Sequence, residues 1–85
     1  MLPPPARYDI VVANLLSGLL IENAARVAAV VAAGPDSRLV LSGIMTDQYA
    51  GVKAAYARLA FCEVRALVLK EWTTGCFRRA GRSPG

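Results

Sequence analysis

Residues 8–14 read YDIVVAN, an apolar run of Tyr8, Ile10, Val11, Val12 and Ala13 interrupted only by Asp9 and closed by the polar Asn14. Continuous β-branched runs of this length mark strands of a parallel sheet covered on both faces. The period then changes. From about residue 19 to 33, Leu20, Ala24, Val27 and Val31 recur at i, i+4, i+7 and i+11, with Glu22 and Arg26 four apart; this predicts an amphipathic helix carrying a charge pair. Gly34-Pro35 predicts its end, because Gly accepts the C-terminal turn and Pro cannot continue the helix. Asp36-Ser37 completes the turn.

RLVLSGI, residues 38–44, predicts a second short strand, and it ends in Ser42-Gly43. Thr46 is the expected N-cap of a helix over 47–59, with Asp47 favourable at its positive end and Val52, Tyr56 and Leu59 on one face. Gly51 inside that helix costs roughly 1 kcal/mol relative to Ala, so packing must hold it. Residues 61–69 alternate in part, with Glu63 and Arg65 expected outward and Val64 and Ala66 inward. After Lys70-Glu71, a last strand from Trp72 to Arg79 predicts an antiparallel hairpin.

The resulting order, β-α-β-α-β-β, predicts an α/β fold. Strands alternating with helices imply right-handed crossovers and a parallel sheet, with the closing hairpin adding an antiparallel strand at one side. The chain has 85 residues and 55% hydrophobic residues, with a mean hydropathy of +0.41. That is much apolar material for a single small domain, and it suggests a piece of something larger or an oligomer.

Charge and cysteine content narrow the chemistry. The net charge is +4, but the basic residues are dispersed except for Arg78, Arg79 and Arg82, a basic end with the electrostatics to touch RNA or simply to be solvated. Cys62 and Cys76 lack metal-ligand spacing and the chain has no histidine, so no metal site is expected and free thiols are. The same two cysteines are candidates for cross-strand neighbours in the hairpin. No stretch reaches the roughly 18 unbroken apolar residues that span a bilayer, and no basic segment with an apolar core opens the chain. A cytoplasmic location, with no membrane partner, is expected.

Taken in order, YDIVVANLLSG, AGPDSRLVLSGI, DQYAGVKAAYA and KEW with a basic end resemble the carboxyl-terminal part of the bacterial methyltransferases of the PrmA type, which modify ribosomal protein eleven of the large subunit. The resemblance covers residues 8–80. It implies part of a class I S-adenosylmethionine-dependent methyltransferase sheet, Rossmann-like, with residues 8–13 as the fourth strand, residues 38–42 as the fifth, and the final hairpin. Residues 1–7 are then a proline-rich extended lead-in, 8–80 the carboxyl-terminal half of a methyltransferase domain, and 81–85 a disordered tail. The sequence contains no G-x-G-x-G, the turn that approaches the cofactor in this family. A partner supplying the missing amino-terminal half, or self-association, is therefore expected, with a chain inactive alone.

The resemblance assigns Asn14 to the family's motif-four asparagine, which positions the substrate amine and contacts S-adenosylmethionine, with Leu15 a further cofactor contact. A carboxamide oxygen accepts an amine N–H and is neutral at every working pH. Asn14 as a cap of the strand end or of the next helix is the alternative. Ser42 and Gly43, after the fifth strand, are implied as the substrate crevice, with turn chemistry as the alternative. Glu71-Trp72 matches an acidic-Trp pair of the family, and Trp72 is expected to be a packing anchor. Gly18-Leu19 stands where many members have Gly-Pro.

Two functions follow. One is a fragment of an S-adenosylmethionine-dependent N-methyltransferase acting on lysine or amino-terminal amines of a ribosomal protein. The other is a non-catalytic α/β module, self-associating through the edge of its first strand or binding ribosomal RNA through its basic end.

Overall fold

A computed structural model describes residues 6–80. Of the expected lead-in, only Ala6 and Arg7 fall within it; the expected tail at 81–85, with Arg82, lies outside the described residues.

Strand pairing sets the architecture. β1 (Ile10–Asn14) runs parallel to β2 (Arg38–Met45), with Ile10 opposite Arg38 and Asn14 opposite Ser42. β3 (Phe61–Leu69) and β4 (Trp72–Arg79) form the antiparallel hairpin, and the sheet order is β1-β2-β4-β3. The antiparallel strand is thus internal, not at the side. Burial explains the placement: Thr73, Gly75 and Phe77 of β4 are buried against Ile44, Leu41 and Leu39 of β2, whereas β3 is exposed beyond Glu63.

The first crossover is two short helices, α1 (Ser17–Glu22) and α2 (Ala24–Ala29), where one helix over 19–33 was expected. Asn23 makes the break. Its side-chain amide donates to the Leu19 carbonyl at 3.0 Å, the local competition by which Asn departs from helical backbone. The helical path stops at Ala29 because the next residues turn back along the chain's start: Tyr8 N–H donates to Val30 O, and Ala32 N–H to Tyr8 O, both at 2.8 Å. The β-branched Val30 and Val31 leave the helix at little cost.

The second crossover opens with a 3-10 turn at Thr46–Gln48 and continues as α3 (Tyr49–Ala57). Thr46 is not an N-cap. Its hydroxyl instead hydrogen-bonds that of Thr73 at 2.8 Å, tying the turn to β4. The element order is therefore β-α-α-β, 3-10 turn, α-β-β.

The helices cover one face of the sheet, and the core lies between them. Leu20, Ala24 and Val31 meet Leu39, Leu41, Ile44, Val52, Tyr56, Phe61 and Phe77 there. Gly75 lets α3 approach, since a Cβ at that position would meet the Tyr49 hydroxyl and Phe77 Cε1. The opposite face is open: Ile10 and Val12 are 69% and 64% exposed, so β1 is not covered on both sides as its sequence predicts.

Two further expectations change. A bulge at Val64, between the pairs Glu63–Phe77 and Arg65–Cys76, breaks the alternation of β3 and leaves Val64 49% exposed. Glu63 instead lies on the helix-covered face, where it bonds Tyr49. The register sets Cys62 opposite Arg78 and Cys76 opposite Arg65, so the two cysteines are not directly paired across the hairpin; both are free. Arg79, expected in a basic end, is structural: its guanidinium donates to the carbonyls of Ala28, Val31 and Ala32 and lies 4.9 Å from the centre of the Phe61 ring. It ties together carbonyls of the last turn of α2 and of the segment that follows it.

Candidate functional site at the end of the first strand

β1 and β2 are parallel and in register, but β1 ends at Asn14, opposite Ser42, whereas β2 runs on to Met45. Ser42-Gly43 therefore lie within the second strand and not at its end as the sequence predicts; a bulge there lets the strand continue past them. In open α/β sheets ligands bind outside the carboxyl ends of the strands. Asn14 is the last residue of β1 and is exposed; Ser42 lies opposite it, half-buried. The β2–β4 register slips between Leu41 and Ile44, which makes Ser42-Gly43 a bulge. Gly43 carries it with φ of +75°, a backbone conformation that side chains disfavour.

Gly43 has a second reason to be glycine. A Cβ there would fall on Asn14 Oδ1, with Asn14 Cγ at 3.4 Å. The carboxamide therefore lies directly over the Gly43 backbone, and the bulge serves as its seat. Of the residues singled out from sequence, the structure brings Asn14, Ser42 and Gly43 together; Leu15 follows on the chain and is partly exposed.

Beside this seat opens a cleft of about 570 Å³ bordered by Gly43. Leu16 and Leu19 form one wall, and Met45 and Trp72 the other. Trp72, expected to anchor packing, is 46% exposed and lines the cleft. Antiparallel pairing puts it there, since Trp72 is the partner of Met45. At the rim Ser17 Oγ donates to Gln48 Oε1 at 2.5 Å, joining the start of α1 to the 3-10 turn.

Glu22, read from sequence only as a partner for Arg26, borders the cleft instead, and the ion pair found among the described residues is Lys53–Glu63. Gly18 and Glu22 are four apart and share a helix face, the signal that could have placed Glu22 with Ser17-Gly18.

Two phenols brace the helices in the core. Tyr56 Oη donates to the Leu20 carbonyl at 2.9 Å, fixing α1 on α3, and burial pushes its pKa up to about 12. Tyr49 Oη donates to Glu63 Oε2 at 2.6 Å; burial, then the Glu63 hydrogen bond and charge, raise its pKa well above the usual phenol value. Both remain protonated near neutrality and act as scaffold, not as bases.

The sequence also matches known proteins. The profile of the ribosomal protein L11 methyltransferase (PrmA) family matches residues 2–80. The chain belongs to the ribosomal protein L11 methyltransferase family. It is 38% identical over 77 residues to the ribosomal protein L11 methyltransferase of Geobacter sulfurreducens, covering 91% of this chain and 25% of that relative. It is 48% identical over 53 residues to that of Azotobacter vinelandii, covering 62% of this chain and 18% of the relative. A crystal structure of a ribosomal protein L11 methylase from Lactobacillus delbrueckii subsp. bulgaricus shares the fold, with TM-score 0.82 and 21% identity over 91% of this chain and 39% of that one. The chain thus spans about a quarter or less of the curated relatives it matches, corresponding to their carboxyl-terminal part.

Proposed function

We propose that this chain supplies the amine-holding side of an S-adenosylmethionine-dependent protein N-methyltransferase whose substrate is a lysine or amino-terminal amine of a ribosomal protein. The observation that carries this reading is the Asn14 carboxamide seated on Gly43, where β1 ends against a bulge in the parallel strand β2, beside an apolar cleft. In family terms β1 and β2 are the fourth and fifth strands of a class I sheet, and residues 8–80 are the carboxyl-terminal half of its domain.

The chemistry follows from the groups present. S-adenosylmethionine, when bound, supplies a methyl group made electrophilic by a sulfonium sulfur, and Asn14 and Leu15 are this chain's residues toward it. An amine attacks only as the free base, with its lone pair aligned at about 3 to 3.5 Å from its target. Asn14 Oδ1 accepts one amine N–H and so fixes where the lone pair points. A carboxamide does this without stabilising the protonated, unreactive amine as a carboxylate would. Ser42 and Gly43 shape the crevice from below.

Transplantation tests the reading. A chimaera is made in which residues 1–85 replace the matching segment of the Geobacter sulfurreducens relative. It is expected to incorporate methyl groups into the ribosomal protein, whereas the 85-residue chain alone shows neither turnover nor tight S-adenosylmethionine binding by calorimetry. A chimaera that is folded by circular dichroism and binds S-adenosylmethionine, yet transfers no methyl group, would overturn it.

The exposed Ile10 and Val12 and the free edge of β1 favour a second reading, in which the chain associates through that edge. Sedimentation of the 85-residue chain is expected to show concentration-dependent association, abolished by Val12→Lys. A monomer at all concentrations would rule it out.

A further inference from the structure

We infer that the cleft is a receptor for an alkylammonium side chain, in which Glu22 supplies the counter-charge and Leu16, Leu19, Met45 and Trp72 sheathe the methylene stem. This rests on the amine-methyltransferase reading of the same site and adds how the amine is selected before it reaches Asn14.

The composition of the cleft points to an amphipathic cation. Its walls include two leucines, a methionine and a half-exposed tryptophan, and its charged lining residue is a glutamate. The chain as a whole carries +4, so a negative group in this cleft runs against the surrounding charge and is not an average of it. A lysine side chain has the matching make-up, an apolar stem that packs on hydrophobic surface and a charged head that needs a polar partner. Trp72 can also attract the cation through its ring face. A neutral chain of equal length would gain from the walls but not from Glu22.

The Ser17–Gln48 hydrogen bond holds the two rims of the cleft together, so its opening is set before a ligand arrives. Gly43 borders the cleft and carries the Asn14 carboxamide. A stem lying along the apolar walls therefore leads toward the carboxamide. Glu22 captures the protonated amine that prevails at neutral pH; the proton is lost to solvent before the free base bonds Asn14. Glu22 is thus a specificity residue and takes no part in the chemistry.

Trp72 is the chain's one tryptophan, so its fluorescence reports on the cleft without any methyl donor. The 85-residue chain is titrated with n-pentylammonium chloride and, separately, with 1-pentanol. Both are expected to change Trp72 emission, with pentylammonium binding more tightly. Glu22→Gln is expected to weaken pentylammonium about threefold to fivefold, the size of a solvent-screened ion pair, and to leave pentanol unchanged; added salt weakens only the amine. Equal affinity for amine and alcohol in the unaltered chain, an equal effect of Glu22→Gln on both, or emission indifferent to both ligands would overturn the proposal. Circular dichroism confirms that the variant folds. These outcomes are independent of Asn14, whose failure would appear in the turnover of the chimaera with amine binding intact.

Discussion

Replacing Asn14 with alanine is expected to lower kcat for methyl transfer by the chimaera about a hundredfold, equivalent to about 2.7 kcal/mol of transition-state free energy, while KM for the protein substrate changes little. The reasoning is geometric. Asn14 Oδ1 lies over Gly43, which borders the cleft, and its loss leaves the amine free to rotate, so misalignment of the order of 1 Å costs about two powers of ten. Stability should hardly move, because Asn14 is exposed and makes no side-chain hydrogen bond among the described residues. A purely capping asparagine predicts the reverse pattern, a lowered Tm with kcat preserved. Asn14→Asp sharpens the contrast. A carboxylate stabilises the ammonium form and raises the amine's pKa, so the residual activity of this variant is expected to climb toward higher pH than that of Asn14→Ala. A kcat within a factor of two for Asn14→Ala would remove Asn14 from the reaction.

Much of this site was legible along the chain because its key residues break apolar runs, Asn14 at the end of β1 and Ser42-Gly43 at a bulge within β2. Their meeting follows once two consecutive strands are parallel and in register. The core faces were legible for a similar reason: Leu20, Ala24, Val31, Val52 and Tyr56 recur at helical spacing and are buried together. What escaped depends on partners distant in sequence. Trp72 reaches the cleft only because β4 inserts beside β2 and pairs it with Met45, and no local pattern announces that insertion. Arg79 reaches the end of α2 from 47 to 51 residues away, so composition alone made it part of a basic end. Val64 followed the alternation until the bulge displaced it, and Asn23 kept the helical period while breaking the helix. Each is a tertiary or side-chain choice that overrides a correct local pattern.

Gly43→Ala is expected to lower stability by about 1 to 2 kcal/mol, because an alanine must adopt a left-handed backbone conformation there, and to shift Tm down by about 4 to 8 °C per kcal/mol in a domain of this size. The larger effect is on activity. The new Cβ takes the space of Asn14 Oδ1, and since Asn14 is exposed, its side chain can swing away at little cost in stability but loses its position beside the cleft. Turnover of the chimaera should therefore fall nearly as far as with Asn14→Ala. The double variant separates the two effects. If Gly43 acts on turnover only by seating Asn14, the Asn14→Ala, Gly43→Ala pair is no slower than Asn14→Ala alone, while the backbone strain persists in Tm. Gly18→Ala is the control for stability at the cleft, because a Cβ there meets nothing within 4 Å and a helical Gly→Ala change is neutral or stabilising by up to about 1 kcal/mol. Multiplicative losses in the double variant would mean that Gly43 contacts substrate on its own account. Additive or unchanged Tm values do not bear on that choice, which makes the turnover of the double variant the measurement that decides whether the bulge exists to hold the asparagine.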